Sequence, residues 1–239
     1  MASTKEIRTR MKSVEQTLKI TNAMYLIASS NLRKAKAQLE QAAPYFTKMH
    51  TTIADILHRS PELSHHFLDR RPEIPAEERK VGYVVLSGDK GLAGAYIHNV
   101  LKLAERRLRE TARPKLFVVG LVGRAYFQER NIPFEEDFSY VVQNPTMARA
   151  RDISDELVQQ FLDRELDEVR ILYTEMVSAL RLEVREQTLL PLVRENFPWE
   201  PPKGGPLLPP VTYLPSPEAV LNAIVPSGYG RGMVFGALV

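Results

Sequence analysis

The N-terminal stretch carries a seam at Ile7, Met11, Val14, Leu18, Thr21, Tyr25, Ala28, Leu32, Ala35, Leu39, Ala42 and Phe46. Its intervals alternate four and three without a slip, the 3.5-residue period of a coiled coil rather than the looser stripe of a surface helix. Ser3 and Glu6 read as a capping box at its start, and neither Gly nor Pro interrupts before Pro44. A helix over Ile7–Phe46 is on the order of 60 Å long at 1.5 Å per residue. A seam of that length requires an equally long partner, and no other stretch of the chain supplies one. Past a kink at Pro44, the helix is expected to continue through Phe46–His58 on Met49, Ile53, Ile56 and Leu57. Residues 59–80, with three prolines and mixed charge, read as an exposed linker.

From Val81 the period changes. Val81–Leu86 is a short apolar run of the kind that forms a strand buried on both faces. A glycine-punctuated loop follows over Ser87–Gly94, then a helix on Val100, Leu101, Leu103, Ala104 and Leu108. Leu116–Val119 is a second strand, Arg124–Glu129 a short helix, Phe138–Val142 a candidate third strand, and Met147–Leu162 a helix. Val169–Tyr173 reads as a strand and Met176–Leu190 as a longer edge strand, with Leu180, Leu182 and Val184 alternating with charged residues. Strands alternating with helices predict a small Rossmann-like α/β domain with a mainly parallel sheet. Nine of the seventeen prolines fall in residues 191–217, an extended loop. A helix resumes at Pro217 with Ser216 as cap, is interrupted by Pro226 and Gly228, Gly230 and Gly232, and ends on MVFGALV. The expected organisation is a shaft helix at 1–59, a linker at 60–80, an α/β domain at 81–190, a Pro-rich loop at 191–216 and the start of a further helix at 217–239.

Composition narrows the function classes. With no cysteine, disulfides, thiolate catalysis and cysteine metal sites are excluded. No stretch approaches the roughly 18 apolar residues of a membrane span, and the charged N-terminus lacks a signal-peptide core, so direct membrane insertion is not expected. The net charge of +3 is unevenly spread. Residues 1–60 carry ten Lys/Arg against four acids, leaving the remainder net negative. A basic rod suits an acidic partner, whether nucleic acid, anionic lipid or an acidic protein surface; it also suits a plain solvated face.

Candidate chemistry is sparse. Gly88, Gly91 and Gly94 between a strand and a helix invite a phosphate-binding reading, with Lys90 as a nearby cation. Their spacing matches neither G-x-G-x-x-G nor the Walker loop, and glycines in such a turn also serve positive backbone angles or close contacts. Asp89 has no evident catalytic partner and reads as a turn residue. His98 is placed on a polar helix face, His58, His65 and His66 lack the spacing of a ligand set, and Glu135–Glu136 and Asp167–Glu168 read as solvated element ends. No catalytic, metal or cofactor site is assigned. The readings left open are a nucleotide-binding α/β domain with a helical oligomerisation arm, a basic coiled coil on nucleic acid, and an assembly subunit.

Several stretches together carry a resemblance: KEIRTRMKSVEQTLKITNAM at Lys5–Met24, LRKAKAQL at Leu32–Leu39, Pro44–Tyr45, SGDKGLAGAY at Ser87–Tyr96, Val122–Arg124, DEVRILYTEMVSAL at Asp167–Leu180 and Leu189–Leu192. In this order they resemble the gamma subunit of F-type ATP synthases. The resemblance implies a non-catalytic central-stalk rotor, present once per complex. In the family, the N-terminal helix pairs with a C-terminal helix inside a hexamer of alpha and beta subunits, and the α/β domain sits at the foot against epsilon and the membrane c-ring. It implies a peripheral protein at the cytoplasmic face of a bacterial plasma membrane, coupled to protons or sodium, with no cofactor of its own and no nucleic-acid partner. Carried onto this chain, Arg8, Arg10, Lys12, Lys19, Met24, Tyr25, Arg33 and Lys34 become the expected shaft contacts to alpha and beta. Asp89, Lys90, Gly91, Leu92 and Gly94 become the turn that anchors the foot domain.

Three departures qualify the resemblance. The chain stops where the family's second shaft helix begins, so the expectation is a truncated C-terminal helix. Ala93-Gly94-Ala95 stands where relatives have Cys-Gly-Gly, which points away from the dithiol switch of chloroplast relatives and toward a bacterial type. Val211–Pro215 lacks the acid of the family's Tyr-x-x-Glu-Pro run, weakening any carry-over of ring contacts there.

Overall fold

A computed structural model describes residues 4–91, 93–178, 181–199 and 212–239. The chain divides into two units, residues 1–44 with Val239, and residues 45–238. Helix α1 runs over Thr4–Arg59, continuing through Pro44. Of the expected capping box, Ser3 lies outside the described residues. In the first unit the large apolar seam residues are all exposed, Met11 at 66%, Val14 at 68% and Tyr25 at 70% among them. Apolar side chains are left in water along a 3.5-residue period, so the pattern there is written for association and not for this unit's own core.

The second unit is built on a four-stranded sheet in the order β2-β1-β3-β4. Its strands are β1 (Lys80–Leu86), β2 (Arg113–Val119), β3 (Glu168–Ser178) and β4 (Arg181–Leu190). β1 pairs in parallel with both β2 and β3, and β4 closes the edge antiparallel to β3. This matches the expected mainly parallel α/β fold. β1 is buried from Val81 to Leu86, because helices cover both faces. Tyr83, Val85, Leu116, Val118 and Leu172 pack with Ile97, Val100, Leu101 and Ala104 of α2 (Ala95–Glu110) and with Phe127 of α3 (Leu121–Glu129). On the other side lies α4 (Met147–Leu162), with Ile153, Leu157 and Phe161 fully buried.

Several expectations need correction. The period-two run Met176–Leu190 is not one strand. β3 extends to Ser178 and β4, antiparallel to it, starts at Arg181; Leu180, counted in that run, lies outside the described residues. Phe138–Val142 forms no strand but a single parallel bridge, Tyr140 to Val119. Two of its carbonyls go to side chains, that of Phe138 to Arg124 and that of Val141 to Arg149, while the Tyr140 carbonyl accepts from the Gly120 N–H at 2.9 Å. At the C-terminal end, α5 (Pro217–Ile224) is not broken by Pro226 and the glycines. It passes through a π-helical segment, Val225–Gly230, into α6 (Arg231–Leu238). The glycines permit close packing there, since a Cβ on Gly228 would stand 2.6 Å from Met49 Cγ and one on Gly232 2.5 Å from the Phe46 ring.

The stretch 60–80 is exposed over much of its length but is tied down at His65, Phe67 and Arg71. It contains a 3₁₀ turn, His66–Leu68, with Phe67 only 1% exposed. Asp167, read as a solvated end, is 3% exposed, because Arg71 reaches across to it. Arg71 Nη1 donates to Asp167 Oδ1 at 2.7 Å and to the Leu166 carbonyl at 2.7 Å, and Nη2 donates to the Phe161 carbonyl at 2.6 Å. Asp167 Oδ2 accepts from the Lys80 backbone N–H at 2.9 Å, tying the pair to the start of β1.

His65 caps the 3₁₀ turn, its Nδ1 accepting from the Phe67 N–H at 3.2 Å. Burial, and then the neighbouring His66, hold its pKa below the ordinary imidazole value. The folded chain therefore binds fewer protons than the unfolded chain between the lowered folded value and about 6.5, and stability is lost as pH falls through that window. Urea-unfolding midpoints are expected to drop on acidification below about pH 6.5. His65→Asn, which keeps a cap acceptor without the titration, is expected to flatten that drop; an unchanged slope would exclude His65 as its source.

Candidate functional site: the glycine turn and the base of the long helix

The glycine turn sits where the chain leaves β1 beside the start of α3, at the carboxyl end of the strands where β1 parts to β2 on one side and β3 on the other. Ser87 knots its root. Its hydroxyl donates to the Val119 carbonyl at 2.9 Å and accepts from the Gly123 N–H at 3.0 Å. The Gly88 carbonyl accepts from the Val122 N–H at 2.8 Å. Asp89 does not close its own turn, as the sequence suggested, but bridges two other segments. Oδ1 accepts from the Leu121 N–H at 3.1 Å, the first residue of α3, and Oδ2 from the Gln143 N–H at 2.6 Å. The carboxylate thus occupies the N-terminus of α3; the N-terminus of α2, which the turn itself opens and to which the phosphate reading refers, begins at Gly94 with no side-chain cap. Lys90, Gly91 and Gly94 are exposed beyond that root, and Leu92 lies outside the described residues.

The eight shaft candidates, Arg8, Arg10, Lys12, Lys19, Met24, Tyr25, Arg33 and Lys34, are all exposed on α1. At about 100° per residue, Arg8, Lys12, Lys19 and Arg33 fall within roughly 60° of one another around the helix axis. Arg10 lies nearly opposite that stripe, and Tyr25 belongs to the apolar seam. The helix therefore gathers half of the candidates onto one basic stripe beside the seam and leaves the others off it.

Sequence reasoning missed the arrangement at the helix base. Asp55 accepts from Arg59 Nε at 2.9 and 3.0 Å, from Trp199 Nε1 at 3.1 Å and from the Tyr213 hydroxyl at 2.6 Å. Burial alone would raise the Asp55 pKa, but the hydrogen bonds from Tyr213, Arg59 and Trp199 outweigh it and hold the carboxyl below its usual range. Burial and the adjacent carboxylate push Tyr213 up to about 12. The Trp199 ring stacks on His58 at 3.9 Å, and Arg194 donates to the Leu57 carbonyl at 3.0 Å and the Leu63 carbonyl at 2.9 Å. The signal available was the single Trp in a Pro-rich stretch, since an indole N–H in an apolar setting requires an acceptor.

The ATP synthase family model matches residues 3–239. An ATP synthase gamma chain from Ruminiclostridium cellulolyticum is 41% identical over 98% of this chain and 80% of its own length. The chain belongs to the ATP synthase gamma chain family. A second gamma chain, from Acetivibrio thermocellus, is 40% identical over 100% of this chain and 81% of its own length. One from Acetobacterium woodii, named as sodium ion specific, is 32% identical over 98% and 80%. The fold is also that of the central stalk/c-ring structure of the Tetrahymena thermophila mitochondrial ATP synthase, with a TM-score of 0.62 at 21% identity, covering 92% of this chain and 91% of that one. Among the described residues no helix is long and apolar enough to cross a membrane.

Proposed function

We propose that this gamma subunit is the non-catalytic rotor that turns, one copy per complex, inside an alpha/beta hexamer. Its foot meets epsilon and the c-ring at the cytoplasmic face of a bacterial membrane, and either protons or sodium ions drive the ring. The observation that carries the reading is α1: an exposed 3.5-period apolar seam with a basic stripe beside it, on the element that opens the family match. An asymmetric shaft meets three equivalent catalytic subunits differently. Its angle can shift each site only by the difference in contact energy between orientations. Arg8, Lys12, Lys19 and Arg33 supply one charged side to that asymmetry, and Arg10, Met24, Tyr25 and Lys34 supply contacts elsewhere on the circumference. The turn at Asp89, Lys90, Gly91, Leu92 and Gly94 holds the foot domain, with Asp89 fixing its root.

Co-elution tests this. Mixed with alpha and beta subunits from the same source, the chain is expected to elute with them as one assembly. Reversing Arg8, Arg10 and Lys12 to Glu is expected to weaken that association by roughly tenfold or more, with a steep dependence on salt. Unchanged assembly together with unchanged coupling of ATP hydrolysis in the triple variant would overturn the charge argument.

A further inference from the structure

Residues 45–59 of α1 are held against the rest of their unit by apolar contacts and by a few directional ones, among them Arg194 to the Leu57 carbonyl at 3.0 Å and His50 to the Asn196 carbonyl at 3.2 Å. Ile53, Ala54, Ile56 and Leu57 are buried, and the Phe46 ring lies 6.1 Å from that of Phe235. These close-packed contacts, including Met49 on Gly228 and Phe46 on Gly232, resist separation and set the register of the helix through shape. A helix that must be turned from its base needs directional contacts as well. Charge-assisted hydrogen bonds provide them, since they weaken steeply with misalignment. Asp55 is where they converge. It collects one donor from its own helix, Arg59, and two from the chain after β4, Trp199 and Tyr213.

We propose that Asp55, gripped by Trp199 and Tyr213, is the torsional joint through which the α/β domain drives the long helix. Asp55 is a positioning residue: it touches no nucleotide and acts by fixing the angle of α1. The proposal rests on the rotor reading above. It adds that slip at this joint spends rotation without delivering it, so loss of the grip separates hydrolysis from pumping rather than abolishing either.

Asp55→Asn keeps the shape of the side chain and removes the charge that strengthens the bonds. Trp199 is the chain's single Trp, so its emission reports the grip directly. Asp55→Asn is expected to shift that emission and raise its quenching by acrylamide. In the complete membrane-bound complex, Asp55→Asn is expected to leave ATP hydrolysis near wild type while hydrolysis-driven ion pumping falls several-fold. Altered emission with an unchanged ratio of pumping to hydrolysis overturns the proposal. Should Asp55→Asn fail to assemble, Tyr213→Phe and Trp199→Phe decide, each deleting one donor and leaving an aromatic ring in place. Both must lower the ratio, and a normal ratio in either refutes the joint. A wild-type complex that hydrolyses ATP without pumping overturns the rotor reading, and the joint with it.

Discussion

Arg71→Met is expected to lower the unfolding free energy by about 3–5 kcal/mol, the usual cost of stripping one partner from a buried ion pair. Both side chains of the Arg71–Asp167 pair are 5% exposed. Removing the guanidinium leaves the Asp167 carboxylate buried with only the Lys80 N–H on Oδ2, strips the Leu166 carbonyl of its Arg71 donor, and leaves the Phe161 carbonyl with the Arg164 N–H at 3.3 Å. Methionine fills the Arg71 stem against the Phe161 ring, over which the guanidinium carbon stands at 4.4 Å, so packing loss is kept small. Adding Asp167→Asn is expected to restore part of the loss, since the amide oxygen still serves the Lys80 N–H without a buried charge. Arg70→Met is the internal control. Its partner Glu195 is 71% exposed, and breaking such a pair changes stability little. Urea midpoints for the variants test the ordering; an Arg71→Met midpoint as small in its shift as that of Arg70→Met would exclude the pair as a structural tie.

Gly120→Ala is expected to cost roughly 2–6 kcal/mol, combining backbone strain with overpacking. Gly120 has φ 100° and ψ 138°, a conformation that an L side chain rarely adopts. Its added Cβ would also meet Ser87 Oγ at 2.6 Å and the Gly88 carbonyl oxygen at 3.0 Å. The Gly88 backbone cannot step aside without opening the knot between the glycine turn and α3. Two neighbours separate the contributions. Gly94 has φ 61° but nothing within 4 Å of an added Cβ, so Gly94→Ala is expected to lose only the conformational part. Gly91 has neither problem, and Gly91→Ala is expected to fall within about 0.5 kcal/mol of wild type. Thermal unfolding of the three variants should rank them in that order, with Gly120→Ala lowest; any other ranking defeats the account of the turn's root.

The legible parts of the fold were those where one local pattern met one environment. VGYVVL reads as a strand buried on both faces because helices cover both sides, and Met147–Leu162 reads as a helix because Ile153, Leu157 and Phe161 share one face. The seam of α1 was equally plain, since nothing local competes with a slip-free 3.5-residue period. What escaped depended on contacts distant in sequence. Arg71 looks like a linker charge until Asp167, ninety-six residues away, is brought to it. Asp89 resembles any turn aspartate until the N–H groups of Leu121 and Gln143 arrive. The antiparallel pairing of β3 with β4 was invisible because alternation continues from one to the other and the sequence from Ser178 to Arg181 contains no Gly, Pro or Asn. Candidate site residues on α1 were legible as a composition, but only helical geometry separates the Arg8–Lys12–Lys19–Arg33 stripe from Arg10.

The close fit of Met49 to Gly228 and of Phe46 to Gly232 has a consequence for biosynthesis. These partners are separated by close to two hundred residues, which a ribosome adding about 5–20 residues per second takes on the order of ten to forty seconds to translate. During that interval the nascent chain presents residues 45–59 with their apolar side uncovered, next to a seam that is already exposed. The sheet domain can form from local and mid-range segments before then, but the seat for the helix base cannot. Residues 45–59 therefore wait for their cover until translation reaches Gly228.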